Sequence, residues 1–173
     1  MKKVIRSKKA QFYIFAAVLL SVIAFTMAKP RETPLQKDDT FRELYQNYIK
    51  EAARATDNAL LNSIGLKARF EDFNNNFKTY SNSKNIKFGF VGIAADDNET
   101  IVHNKMDYEV GLSYLTVSET LSRGEIRTIN WSDQVFIELN DVNYGFNFTD
   151  GIAQVKGLFF AKSSGYEKVY AYN

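Results

Sequence analysis

His103 is the single imidazole of a 173-residue chain that has no cysteine. It is the one side chain that titrates near neutrality at its ordinary pKa, so acid–base chemistry at an imidazole has one candidate. Ser and Asp are plentiful, and a Ser–His–Asp relay is compatible with composition alone. No Gly-x-Ser-x-Gly elbow, Walker loop, Gly-x-Gly-x-x-Gly turn or His-Glu-x-x-His pair accompanies it. Val102-His103-Asn104 lies beside turn residues. The expectation is an exposed strand-end histidine without a catalytic role, and a protein that is not an enzyme. One His and no Cys exclude thiol catalysis, Cys-ligated zinc or iron–sulfur sites, disulfide scaffolds and multi-His metal centres. No cofactor and no metal are expected.

Two further groups of residues carry possible chemistry. Asp96-Asp97-Asn98-Glu99 offers hard oxygens to calcium but lacks the Asp-x-Asp-x-Asp-Gly spacing and distant Glu of an EF-hand loop, so a solvated hairpin tip is expected. Asn98-Glu99-Thr100, Asn130-Trp131-Ser132 and Asn147-Phe148-Thr149 are N-glycosylation triplets. Asn98, at a turn, reads as the best acceptor and Asn147, within a strand, as the poorest. The 14 Phe and 10 Tyr read as core and cross-strand packing, with Tyr166, Tyr170 and Tyr172 free to line an interaction surface.

The elements that must position these residues follow from periodicity. Asp38-Asp39-Thr40 opens a helix in which Phe41, Leu44, Tyr45, Tyr48, Ile49, Ala52, Ala59 and Leu60 recur at steps of three and four. Gly65 stops it. Leu66, Phe70, Phe73, Phe77 and Tyr80 then form a heptad-like seam. After Ser81-Asn82-Ser83-Lys84-Asn85 the period becomes two, through about eight short strands separated by Asp96-Asp97-Asn98, Arg123-Gly124, Asp150-Gly151 and Ser163-Ser164-Gly165. No helix-length pattern interrupts residues 86–173, which predicts antiparallel pairing in a β-sandwich or curved sheet.

Charge divides the chain. Residues 1–10 carry Lys2, Lys3, Arg6, Lys8 and Lys9 and no acid, whereas residues 32–173 hold 15 basic and all 20 acidic side chains, a net −5. Such a body does not attract a phosphate backbone, and no nucleic acid partner is expected. The basic cluster abuts Gln11–Ala28, 18 residues without a charge. As a helix that run spans about 27 Å, against a hydrocarbon core of about 30 Å, so membrane lipid is an expected partner. Lys29-Pro30-Arg31-Glu32-Thr33-Pro34 follows as an exit hinge. Three readings fit: a secretory signal cut after Thr26-Met27-Ala28, a plain signal anchor with its basic end in the cytoplasm, and a processed anchor.

The third reading rests on Lys8-Lys9-Ala10-Gln11 set directly against the apolar run. Over about residues 6–28 the chain resembles the class III signal peptides of archaeal type IV pilin-like proteins. The resemblance implies a prepilin-type peptidase cutting between Ala10 and Gln11. It also implies a retained membrane or filament-core helix bearing Phe12, Phe15, Val18, Leu19, Val22 and Phe25, and self-assembly into a filament. In many such signals a Ser and a Glu follow the Gln; here Tyr13 and Phe15 stand there.

The expected organisation is α+β: a basic leader (1–10), a transmembrane, pilin-like helix (11–29), a linker (30–37), a two-helix stalk (38–81) and an antiparallel β head (86–173). The expected protein is a structural or minor subunit of a pilus-like surface filament. It would be a single-pass membrane protein with its body, a candidate glycoprotein, outside the cell. The alternative is a singly anchored extracytoplasmic β-domain for binding or adhesion that does not polymerise.

Overall fold

A computed structural model of the chain describes residues 34–62, 65–83, 87–163 and 166–172. The chain divides into two compact units, Met1–Thr40 and Phe41–Asn173. Of the first, only the opening turns of helix α1, Pro34–Leu61, are described. This helix begins four residues before Asp38. Pro34 sits at its first position, where a missing N–H costs nothing because that donor has no intrahelical acceptor.

Within the second unit, α1 buries Phe41, Leu44, Tyr45, Tyr48, Ala52, Ala55 and Ala59, a stripe at steps of three and four. Helix α2, Leu66–Ser83, buries Leu66, Phe70, Asn74, Phe77 and Ser81. The expected seam is therefore shifted. Tyr80 is exposed, and Asn74 and Ser81 turn inward in its stead.

Among the described residues nine strands follow: β1 Gly89–Ala95, β2 Glu99–Asn104, β3 Val110–Tyr114, β4 Val117–Leu121, β5 Ile126–Asn130, β6 Gln134–Leu139, β7 Val142–Asn147, β8 Gln154–Ser163 and β9 Tyr166–Tyr172. All described pairings are antiparallel, in a five-stranded sheet ordered β5-β2-β1-β8-β9 and a four-stranded sheet ordered β4-β3-β6-β7. The five-stranded sheet is covered on both faces. Val91, Ile93, Val102 and Leu158 meet Leu112, Leu121, Val135, Ile137 and Phe146 of the other sheet in one core. Phe90, Ala94, Ile101 and Phe159 meet the two helices in a second core. That double cover is why all seven residues of β1 are buried, whereas β6 alternates between buried and more exposed positions.

This architecture corrects the expected one. The body is three layered, helices on sheet on sheet, and α1 and α2 are not a stalk leading to a β head. A stalk must bury its apolar stripes on itself, but the Phe- and Ala-rich stripes here find a second apolar face on the five-stranded sheet. Among the described residues no helix is long and apolar enough to cross a membrane, so the expected membrane helix forms no part of the observed fold. Residues 11–29, on which that expectation fell, lie outside the described residues. The β-sandwich itself is present. Two of its strands, β2 and β4, show no alternating row of their own in the sequence: β2 directly follows the Asp96-Asp97-Asn98 turn and β4 ends just before Arg123-Gly124.

Candidate functional site

The helix–sheet core contains a polar cluster. Tyr48 of α1, Asn74 of α2 and His103 of β2 are each 0% exposed. Three elements deliver them: Tyr48 and Asn74 lie on the sheet-facing stripes of their helices, and His103 lies on the helix-facing side of β2, two residues after Ile101. The Tyr48 hydroxyl donates to Asn74 Oδ1 at 2.7 Å. Asn74 Nδ2 lies 3.3 Å from His103 Nδ1. An amide NH2 only donates, so Nδ1 accepts and the ring proton sits on Nε2. No hydrogen bond of good geometry reaches Nε2, although the Gly124 backbone lies close enough to favour a ring proton.

The electrostatics match this tautomer. Burial, then the Lys105 charge, lower the His103 pKa to about 4, and the nearby Gly124 backbone opposes them weakly. Burial alone holds the Tyr48 hydroxyl well above its ordinary pKa, so it stays a neutral donor. Protonation at Nδ1 would set a donor against the Asn74 amide. The cluster therefore joins two helices and a strand with neutral hydrogen bonds, and no approach from solvent reaches the imidazole. The strand-end exposure expected for His103 is reversed because β2 is an interior strand under the helices. Asn74 and Tyr48 carried no sequence signal as polar partners; Asn74 sits among apolar steps in α2, and only its inward face marks it.

Gly92, the cross-strand partner of His103, makes room for the cluster. A Cβ there would clash with the Tyr48 hydroxyl and lie 3.1 Å from Phe70 Cζ and 3.2 Å from Asn74 Nδ2. Gly92→Ala is expected to destabilise the body by about 2 kcal/mol through overpacking. Removing the clashing oxygen with Tyr48→Phe in that background should return part of the loss. Urea unfolding of the four proteins of this cycle checks both statements; a Gly92→Ala cost below about 0.5 kcal/mol contradicts the first.

Asp96 Oδ1 accepts from the backbone N–H groups of Asn98 and Glu99, at 2.8 and 2.9 Å. The acidic run is thus an Asx turn closing the β1–β2 hairpin, and that oxygen is engaged. Among the described residues no group of three or more His, Asp or Glu side chains is placed to hold a metal ion. Of the carboxyl-end tyrosines, Tyr170 is half-buried and stacks on Tyr45 with ring centres 5.7 Å apart, so it is a packing residue. The side chains of Tyr166 and Tyr172 lie outside the described residues. An open depression of about 350 Å3 is lined by Tyr108, Asn140, Phe160 and Glu167. Its two rings meet edge to face at 6.2 Å, and burial, then Glu167 and Asp107, raise the Tyr108 pKa.

The three glycosylation triplets converge. Asn130, the last residue of β5, is the cross-strand partner of Glu99, and the next N–H, that of Trp131, donates to the Asn98 carbonyl at 3.2 Å. Four residues on, Gln134 pairs with Asn147, and its Nε2 donates to Asn147 Oδ1 at 2.9 Å. All three asparagines are exposed, at the end of the sandwich formed by the β1–β2, β5–β6 and β7–β8 connections. Phe41, the first residue of the body, lies at the other end of β1, its ring 6.0 Å from that of Phe88. The seven-residue strand separates the two ends by roughly 20 Å.

Ala10 and Gln11, the expected processing residues, and Phe12, Phe15, Val18, Leu19, Val22 and Phe25, expected on a membrane or filament-core helix, lie outside the described residues. No family model, curated protein or solved structure matches the chain.

Proposed function

We propose that this chain is a structural or minor subunit of a type IV pilus-like surface filament, held at the cell membrane by its charge-free leading run, with the body on the extracytoplasmic side. The observation that carries the proposal is Lys8-Lys9-Ala10-Gln11 set directly against 18 uncharged residues. Two features of the body support it. Among the described residues, both cores draw on side chains from Phe41 onward. Its single imidazole is spent on packing two helices to a sheet, which leaves a hydrolase built on His103 no accessible base.

A second reading, a singly anchored surface domain that binds or adheres without polymerising, is favoured by one observation. Tyr13 and Phe15 occupy the places where many pilin-like signals carry Ser and Glu, and that carboxylate commonly registers one subunit against the next. Mass spectrometry of the natively expressed protein is expected to find Gln11 as the mature amino terminus. Lys29 there would indicate a secreted protein, and Met1 or Lys2 an unprocessed anchor. Electron microscopy of sheared cell-surface material, labelled with antibody against the body, then separates filament from single anchor. A freely dissolved cytosolic product that keeps Met1 or Lys2 overturns both readings.

A further inference from the structure

N-glycosylation needs two groups within reach of the transferase: the Asn amide and the hydroxyl two residues on. The three triplets differ in whether the folded body leaves both residues exposed; Asn147 does so while its Oδ1 accepts from Gln134. Thr100 is 0% exposed, turned into the sandwich at the start of β2, with its hydroxyl unpaired. Ser132 is 1% exposed and donates its hydroxyl to the Gln134 carbonyl at 2.7 Å. Asn98 and Asn130 are therefore exposed amides whose partner hydroxyls are sealed. At the third triplet Asn147 and Thr149 are both exposed, and Phe148 between them is buried.

The reason is the period of an extended chain, in which residues i and i+2 share one face and i+1 takes the other. Phe148 is the anchor: its N–H donates to the Asp133 carbonyl at 2.7 Å, and Lys156 Nζ lies 5.2 Å from the centre of its ring. Lys156 is itself 8% exposed. With Phe148 pinned inward, Asn147, the last ladder residue of β7 and opposite Gln134, and Thr149, just past the ladder, are both exposed, ahead of the Asp150-Gly151 turn, where Gly151 has φ +76°.

We propose that Asn147 is the N-glycosylation acceptor which the folded body presents, and that Asn98 and Asn130 accept sugar only before the sandwich closes. The donor is an oligosaccharide carried on a polyprenyl diphosphate. The Asn147 amide nitrogen attacks the anomeric carbon and a C–N bond forms. The C–O bond to the diphosphate breaks, polyprenyl diphosphate leaves, and the amide gives one proton to the transferase. The acceptor lies at the end of the sandwich remote from Phe41. This inference rests on the extracytoplasmic reading for its place in the cell.

The test uses the purified full chain, folded in mild detergent, with a single-subunit oligosaccharyltransferase and a polyprenyl-diphosphate oligosaccharide. Sites are read by peptide mass spectrometry. Expected is modification of Asn147 at least about tenfold faster than of Asn98 or Asn130, the selectivity of about 1.4 kcal/mol in barrier. Synthetic peptides spanning each triplet should lose that ranking. Thr149→Ala should abolish modification of the folded chain with an unchanged urea midpoint, and Thr149→Ser should retain it. Asn98 or Asn130 reacting as fast as Asn147 in the folded chain overturns the proposal, as does refusal of Asn147 there when its peptide is accepted. Failure in this purified assay leaves the mature amino terminus, and the extracytoplasmic reading, as they stand. A cytosolic native product removes that reading and leaves the ranking of sites intact.

Discussion

Phe159→Ala is expected to cost the body about 4 kcal/mol, a large share of a typical domain's 5–15 kcal/mol. Phe159 is fully buried on β8, where its ring meets six others. Phe88 and Phe90 stack on it at 5.5 and 5.2 Å, nearly parallel, while Tyr45 and Tyr48 approach edge-on at 5.2 and 4.9 Å. No single neighbour can relax into the space, because each is held by others: Tyr48 by Asn74 and Phe77, Phe88 by Phe41 and the Lys78 ammonium that donates to its carbonyl. The loss should fall on the helix layer. Amide exchange is expected to quicken throughout α1 and α2, while Ile137 and Phe146, in the core between the sheets, keep most of their protection. Urea unfolding with site-resolved exchange reads both effects. A loss under about 1 kcal/mol, or equal loosening of both cores, would show that the rings do not form a separate packing unit.

Acid is expected to weaken the body through His103. Its folded pKa of about 4 lies below the ordinary 6.5, so the folded state binds fewer protons than the unfolded chain in that window. The contribution is fully present above pH 6.5 and is lost as pH falls through about 4. The difference corresponds to about 3 kcal/mol. Carboxylates begin to titrate at the lower end of this range, so the diagnostic quantity is the difference between wild type and His103→Leu, which has no imidazole to protonate. Wild type should lose stability relative to that variant between pH 6.5 and 4. Since the chain has one histidine, its ring C–H resonance gives the midpoint directly by NMR. A midpoint near 6.5 would mean that the ring is solvated and that the cluster with Asn74 is not made.

Period alone disclosed most of the secondary structure. The steps of three and four from Phe41 to Ala59 are the buried stripe of α1, and the alternation Val135, Ile137, Leu139 is the inner face of β6. Gly124 and Gly151 stand at positive φ in turns that their sequence announces. Three things were out of reach of any local pattern. The first is where the helices go: an amphipathic stripe states that it needs a partner, not which one, and only the assembled five-stranded sheet offered a second apolar face. The second is His103, whose neighbours in sequence are turn-like and whose neighbours in space are Tyr48 and Asn74, 55 and 29 residues away. The third is which triplet exposes both its asparagine and its hydroxyl residue. Asn98 reads as the open one because it is at a turn, but exposure of the hydroxyl two residues on is decided by which face of the strand is covered. Sequence determined most of the elements and the charge division of the chain, because propensity, period and charge act between near neighbours. Tertiary structure alone decided what is buried and what is presented, because burial depends on surfaces brought together from distant parts of the chain.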